Sequence, residues 1–365
     1  MNSKPRHSLW QGLAMTLNWL VAGMMLLAYL AQKEAPSQHT AVAVFGLVYP
    51  VLLLANLFFI AFWLLQKNSR WLLSLLILLV GFSHLKTNLN FSFHLRQNNP
   101  GPTAIKVMSY NVQGFARSNR AAYNPEIKKG ILTFLAKQNP DILCLQEYSG
   151  KKRDLFRRKN NKNAYFHSYY TQKGSKNTGL VIVTRYKIFQ KGFLKFKNYR
   201  TFGIFSDIVA GNDTLRVINV HLASISLEQD DLDLLSNPPS SRWKKQNVTN
   251  HFADIYHKLQ RAFRLRERQL SRVIRTIQTS PWPVVLCGDF NDTPSSWAYH
   301  RIATLLTDAF VEKGTGLGAT YAGPLPFLRI DYLFAGKKYK VLSYQKYNLR
   351  FSDHYPVSMQ IKKIR

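Results

Sequence analysis

Residues 283–293 read PVVLCGDFNDT. Pro283 to Cys287 is a continuous apolar run, the composition of a strand buried on both faces rather than of one with a wet side. It ends abruptly in Gly288, Asp289, Phe290 and Asn291. On an extended backbone Asp289 and Asn291, two apart, share a face. An acid delivered at the end of a buried run is costly to desolvate unless it is paired or bound to a cation. The segment therefore predicts a buried strand that carries polar chemistry to the edge of a sheet.

Working outward, the same design recurs. Candidate strands lie at 105–110 (IKVMSY), 142–146 (ILCLQ), 179–184 (GLVIVT), 215–220 (LRVINV), 283–287, 330–335 (IDYLFA) and 355–361 (YPVSMQI). Asn111 follows the first of these in SYNVQGF, Glu147 the second in LQEY, and His221 the fourth in NVHL. Asp331 is embedded in RIDYLF, and Asp353 and His354 precede the last run in FSDHYPV. Helical patterns separate the strands. Asn124-Pro125 offers a cap and a first-turn proline before the stripe Ile127, Ile131, Phe134 and Leu135, and a longer helix is predicted over 253–278. The arginine-dense face of that helix reads as solvated surface.

One strand-end acid is ordinarily a cap or half of a salt bridge. Glu147, Asp289, Asp331 and Asp353, with two asparagines and two histidines in the same setting, fit a shared site better. Carboxylate and amide oxygens are hard ligands suited to Mg²⁺ or Mn²⁺. Zinc is disfavoured because Cys144 and Cys287, the two cysteines of the chain, have no metal-ligand spacing; each sits in an apolar run and is expected to be a buried core thiol.

The chain begins differently. Three apolar stretches, Leu9 to Ala31, Ala41 to Leu65 and Trp71 to about Phe82, precede the first strand. Roughly 20 apolar residues cross a bilayer core as a helix. The first two stretches suffice, and the third needs residues up to Leu89 to complete it. A cleaved signal peptide is the competing reading of the first stretch. Lys4 and Arg6, with Lys67 and Arg70, outweigh the balanced Lys33 and Glu34 pair, which puts the N-terminus inside. Three crossings then leave the remainder on the extracytoplasmic side of the cell membrane, and two would return it to the cytoplasm. The expected organisation is a transmembrane region at 1–95, a linker at 96–103 (RQNNPGPT) and an α/β domain at 104–365.

Seven of the 50 Lys/Arg and one of the 19 Asp/Glu fall in residues 1–102, so the rest carries a net charge of about +25. Charge of that size draws a polyanion, whether nucleic acid, anionic lipid or envelope polymer, without choosing among them. KKRDLFRRKNNKN (151–163), directly after Glu147, is either a backbone-tracking loop or a solvated one. Residues 225–250 have no clear period and read as an insertion beside the site.

SYN, LQE, GLVIVTRY, NVHL, GDFND, RIDYLF and SDHYPV, in that order across about 103–363, resemble the endonuclease/exonuclease/phosphatase superfamily. Its members include pancreatic-type deoxyribonucleases, abasic-site endonucleases, neutral sphingomyelinases and inositol-polyphosphate phosphatases. The resemblance implies a four-layered α/β sandwich, two packed mixed sheets flanked by helices, with the site at one end. It implies Glu147 as the principal Mg²⁺ or Mn²⁺ carboxylate, with Asn111 beside it and Asp353 a further ligand on the metal side. Asp289 resembles the base that prepares the attacking water, and Asn291 the amide that fixes phosphate or water. His354, held by Asp331 or a neighbouring acid, resembles the donor to phosphoryl oxygens. His221 matches the deoxyribonuclease and sphingomyelinase branches better than the abasic-site enzymes.

The expected function is thus a membrane-anchored, metal-dependent phosphodiester hydrolase, with nucleic acid ranked ahead of a phospholipid or sphingolipid substrate and a phosphomonoester third. A non-catalytic membrane protein that binds polyanions is the reading from another class.

Overall fold

The computed structural model describes residues 9–90, 104–116, 123–150, 165–170, 178–196, 201–211, 213–225 and 245–364. The linker at 96–103, the basic stretch 151–163 and most of the 225–250 insertion lie outside the described residues.

The apolar N-terminal part forms five helices: α1 (Leu9–Leu30), α2 (Thr40–Leu47), α3 (Tyr49–Leu65), α4 (Trp71–Val80) and α5 (Phe82–Asn88). Among the described residues, by length and composition, α1 alone can cross a membrane unbroken. The other two apolar stretches bend, by 62° between α2 and α3 and by 75° between α4 and α5, giving up to three spans if each bent pair counts as one. The expectation of three plain helices misses both bends, whose causes are local. Pro50, near the start of α3, has no N–H to continue a helix from α2. A Cβ at Gly81 would lie 2.0 Å from Tyr29 Cζ, so only glycine lets the chain turn against α1 there. Polar side chains tie the bundle. Asn18 Nδ2 donates to Ser74 Oγ at 2.7 Å, and Trp63 Nε1 donates to Asn18 Oδ1 at 2.9 Å, joining α1, α3 and α4. The outer surface is apolar, with Leu13, Trp19, Leu54, Phe58, Leu76 and Leu79 all exposed.

Among the described residues, the remainder is built on two six-stranded sheets and a two-stranded ribbon. In chain order the strands are β1 (Leu89–Asn90), β2 (Ile105–Asn111), β3 (Ile142–Tyr148), β4 (Tyr165–Tyr170), β5 (Gly179–Thr184), β6 (Lys187–Leu194) and β7 (Gly203–Ala210), followed by β8 (Asp213–His221), β9 (Val284–Asp289), β10 (Leu306–Asp308), β11 (Gly316–Leu317), β12 (Asp331–Gly336), β13 (Tyr339–Lys346) and β14 (Val357–Lys363). One sheet runs β13-β14-β2-β3-β5-β4 and the other β10-β12-β9-β8-β7-β6, while β1 pairs with β11. Each large sheet contains one parallel pair, β2 with β3 and β8 with β9, amid antiparallel neighbours.

Alternation along each strand builds the layers. Val107, Ile142, Cys144 and Ile182 face Val217, Val285, Cys287 and Leu333 across the interior between the sheets, where both thiols are free and buried. The opposite face of β2 and β3, through Met108, Tyr110, Leu143 and Leu145, receives Ile131 and Leu135 of α6 (Pro125–Gln138). On the far side, Ile218, Val220, Leu286 and Phe334 receive Leu270 and Val273 of α7 (Lys245–Gln278) and Ile302 of α8 (Trp297–Ala303). A short α9 (Ala309–Lys313) follows β10. Two mixed sheets covered by helices form the expected sandwich.

Strands β1, β4, β6, β7, β10, β11 and β13 go beyond the seven expected ones. Strand β6 (KIFQKGFL) is largely exposed, and β7 carries Ser206 and Asp207 in its interior, so neither reads as an apolar run. Asp207 is paid for by Arg216 of β8, whose Nε and Nη2 donate to its two oxygens at 2.7 Å each.

Candidate active site

Parallel pairing brings strand ends to one edge. Asn111 stands opposite Gln146 in register, one residue before Glu147, while His221 stands opposite Asp289 and Asp289 opposite Asp331. A β-bulge in β3 between Leu145 and Tyr148 supplies the extra residue that aims Glu147 outward from the ladder. Its φ of 51° is left-handed, as is that of Asn291 at 51°. Non-glycine residues held there are uncommon and gather at functional sites. Gly288, φ 142°, has no alternative: a Cβ would meet Val220 O at 2.0 Å.

Asn111 is the hub. Its Nδ2 donates to Glu147 Oε1 at 3.2 Å and to Asp289 Oδ2 at 3.0 Å, and its Oδ1 accepts from the Gln113 amide. His221 Nε2 lies 3.7 Å from both Glu147 Oε1 and Asp289 Oδ2. Asp289 is 1% exposed, and its Oδ1 accepts from the Asn291 amide at 2.8 Å. Asn291 Nδ2 donates to Leu222 O. On the other side His354 Nε2 lies 3.7 Å from Asp289 Oδ2 and 3.9 Å from Asp353 Oδ1, while its Nδ1 and Asp331 Oδ2 are 2.9 Å apart. All eight residues singled out in the sequence thus meet at one end of the sandwich.

Electrostatics divide them into two kinds. Burial alone would lower the His354 imidazole, but the carboxylates of Asp331 and Asp289 outweigh it and hold the ring well above its ordinary value. The proton of the buried His354–Asp331 pair resides on the imidazole, because three carboxylates, those of Asp331, Asp289 and Asp353, face that ring. Asp353 is pushed up to about 6 by burial, against the pull of His354 and with the help of the Glu147 and Asp289 charges. A carboxyl raised by burial and by neighbouring negative charges marks a site short of positive charge. That observation, with hard oxygen donors throughout, fits a divalent cation. Asp289, Asp331 and His354 offer ligand atoms within 4.8 Å of one another. The Asp331 contact already occupies one nitrogen of the ring, so Glu147 and Asp353, more open to solvent, are the better candidate ligands.

Several supporting residues escaped the sequence reading. Gln146 Nε2 donates to Asn219 Oδ1 at 2.6 Å and Ser109 Oγ at 3.1 Å, and Asn219 Nδ2 donates to Leu145 O and Val181 O, stapling the sheets beneath the site. Asn219 stands two before His221, so strand alternation already put both on one face. Arg266, read as part of a solvated helix face, is instead 1% exposed, with its Nε 3.4 Å from Asp292 Oδ2. Its place in the stripe Leu259, Phe263, Arg266, Leu270, Val273 was the available signal. A cleft of about 440 Å³ opens beside Glu147 and His221, walled by Phe196, Phe202, Leu222 and Leu265.

Two mixed sheets covered by helices, with carboxylates, amides and imidazoles converging at one end, define the class as an α/β sandwich with an oxygen-rich polar site. The chain belongs to the endonuclease/exonuclease/phosphatase family, whose model matches residues 108–354. A second model, for a domain of unknown function (DUF8431), matches residues 11–88. Among solved structures it is similar to the human Nocturnin catalytic domain with bound sulfate anion, at 17% identity over 72% of this chain and 95% of that one, TM-score 0.50. An endonuclease/exonuclease/phosphatase from Bacteroides vulgatus is similar at 16% identity over 72% of this chain and 100% of that one, TM-score 0.51. At such identities the likeness is one of fold. No match was found among the curated proteins.

Proposed function

We propose that the protein is a membrane-anchored, divalent-metal-dependent phosphodiester hydrolase. The observation that carries this reading is the convergence of Glu147, Asp289, Asp331 and Asp353 with His221, His354 and Asn111 at one sheet edge. Glu147 and Asp353, with the Asn111 amide beside them, would hold Mg²⁺ or Mn²⁺. Such an ion, when bound, supplies positive charge to phosphoryl oxygens.

The chain's own groups supply the rest. Asp289 is the base: its Oδ2 is the common neighbour of Asn111, His221 and His354, so the carboxylate is fixed where a water can lose its proton to it. Asn291 sits beside it to orient water or phosphate. The His354 imidazolium, kept charged by Asp331, donates to the oxygens on which charge accumulates. His221, between Glu147 and Asp289, supplies a second donor.

Nucleic acid is the first substrate class, supported by the net charge of +31. A phospholipid or sphingolipid is the second, supported by the apolar walls of the cleft and by the apolar helices packed against the domain. The test is the full chain in detergent, supplied with Mg²⁺ and offered single-stranded DNA, RNA or phospholipid vesicles. Hydrolysis of one class, abolished by a chelator and restored by Mg²⁺, is expected. Full activity in the chelator contradicts the metal, and no hydrolysis of any class favours the polyanion-binding alternative.

For the anchor, we infer a multi-pass arrangement in which each bent pair counts as one crossing, so that three crossings and the inside N-terminus leave the catalytic domain extracytoplasmic. A fluorescent reporter that matures only in the cytoplasm, fused after Arg365, is expected to stay dark. A bright fusion would mean that one bent pair re-enters instead of crossing.

A further inference from the structure

The loop after Asp289 is gripped from two directions. From the sandwich side, the Arg266 guanidinium donates to the Asn291 carbonyl and lies against Asp292. From the helical side, Gln32 Nε2 donates to Pro294 O at 2.9 Å, Thr293 Oγ1 donates to Gly46 O at 3.1 Å, and Asn88 Nδ2 donates to Ser295 Oγ at 3.4 Å. The fit is close: a Cβ on Gly46 would stand 2.9 Å from Ser295 O and 2.8 Å from Ala31 Cβ. Gln32, Asn88, Thr293 and Ser295 are all buried. Three successive residues, Thr293 to Ser295, are thus each tied to the apolar helical region, beginning only two positions after Asn291.

Gln32 lies in the turn after α1, and the other two contacts come from the bent arms. Helix α2, turned 62° from α3, supplies Gly46, and α5, turned 75° from α4, ends at Asn88. Along α2, Ala43, Val44 and Leu47 also pack on Ile255, Leu259 and Phe263 of α7. Less than a turn beyond Phe263 is Arg266, whose guanidinium lies 4.8 Å from the Phe263 ring centre and reaches Asn291. A second brace enters from α5, where Arg329 Nη2 donates to Thr87 O at 2.8 Å, two residues before Asp331.

Resting on the hydrolase reading above, we propose that the apolar helical region is a positioning element of the active site. Through Gln32, Gly46 and Asn88 it fixes residues 293–295, and through them the backbone of Asn291 and the carboxylate of Asp289 to which that backbone donates. The bends in the two helix pairs serve this contact. Gln32, Gly46, Asn88 and Thr293 act through Asn291 and Asp289 and touch no substrate.

A mere glue between two parts of the chain would show in stability alone, whereas a positioning role shows in turnover. The experiment uses the full chain in detergent with Mg²⁺ and the substrate class identified above, comparing the parent with Thr293→Val, Thr293→Ser and the pair Gln32→Leu with Thr293→Val. Rates are taken per folded molecule, and amide hydrogen exchange is read on the peptide Gly288–Trp297. The paired variant is expected to lose about tenfold to a hundredfold in kcat with KM within about twofold, the scale of a displaced catalytic group. Exchange in that peptide should rise at least about tenfold, as local opening becomes easier. Thr293→Ser, which keeps the hydroxyl donor, should match the parent in both. Unchanged exchange in the paired variant overturns the clamp, and raised exchange at parental kcat overturns its role in positioning. If the paired variant does not fold, Gln32→Leu alone is read by the same two criteria. A parent inactive on every substrate would remove the hydrolase reading, and exchange would then decide by itself whether the helices hold the loop.

Discussion

Asp289→Asn is expected to fold as the parent does and to hydrolyse a phosphodiester about 10² to 10⁴ times more slowly, the range that general-base catalysis contributes. The substitution keeps the size of a side chain that is 1% exposed, and its oxygen can still accept from the Asn291 amide. What it removes is the basic carboxylate at the meeting point of Asn111, His221 and His354. It also removes one of the negative charges that keep His354 protonated, so the loss should lie toward the upper end of that range. Polyanion binding, which depends on the basic surface, should be unchanged. Turnover measured beside binding separates the two, and parental turnover in a well-folded variant would remove Asp289 from the chemistry.

His354→Ala is expected to cost about 10² to 10³ in turnover, the loss typical of one donor aimed at developing charge. Its stability should fall as well. Asp331 is 2% exposed and has His354 as its cationic partner, and stripping one member from a buried pair typically costs on the order of 3–5 kcal/mol. Burial already favours the neutral form of Asp331, so uptake of a proton should soften that loss. Thermal melts and single-turnover rates on the same preparation distinguish the two effects. A variant that is destabilised yet turns over at the parental rate per folded molecule would make the pair structural.

The site was legible in the sequence because each of its residues adjoins an apolar run: Asn111 after IKVMSY, Glu147 after ILCLQ, Asp289 after PVVLC. Strands buried on both faces announce themselves, and a polar residue at their end stands out. Strands such as β6 and β13, at or near the sheet margins, alternate with lysine and tyrosine and carry no such contrast. Asp207 in β7 becomes intelligible only with Arg216 beside it, nine positions away in sequence and adjacent in the sheet. The helix bends left a fainter trace in Pro50 and Gly81, each a breaker inside an apolar stretch. The grip on the loop after Asp289 left none, since Gln32 and Pro294 are 262 positions apart and nothing local in either predicts the other.

The central claim, that this site directs water at a phosphorus atom, is tested most directly by running the hydrolysis in water enriched in oxygen-18 and examining the products by mass spectrometry. In-line attack by water held at Asp289 predicts that the label enters the phosphoryl product, with the alcohol product unlabelled. Products that form without label in the phosphoryl group would contradict the account.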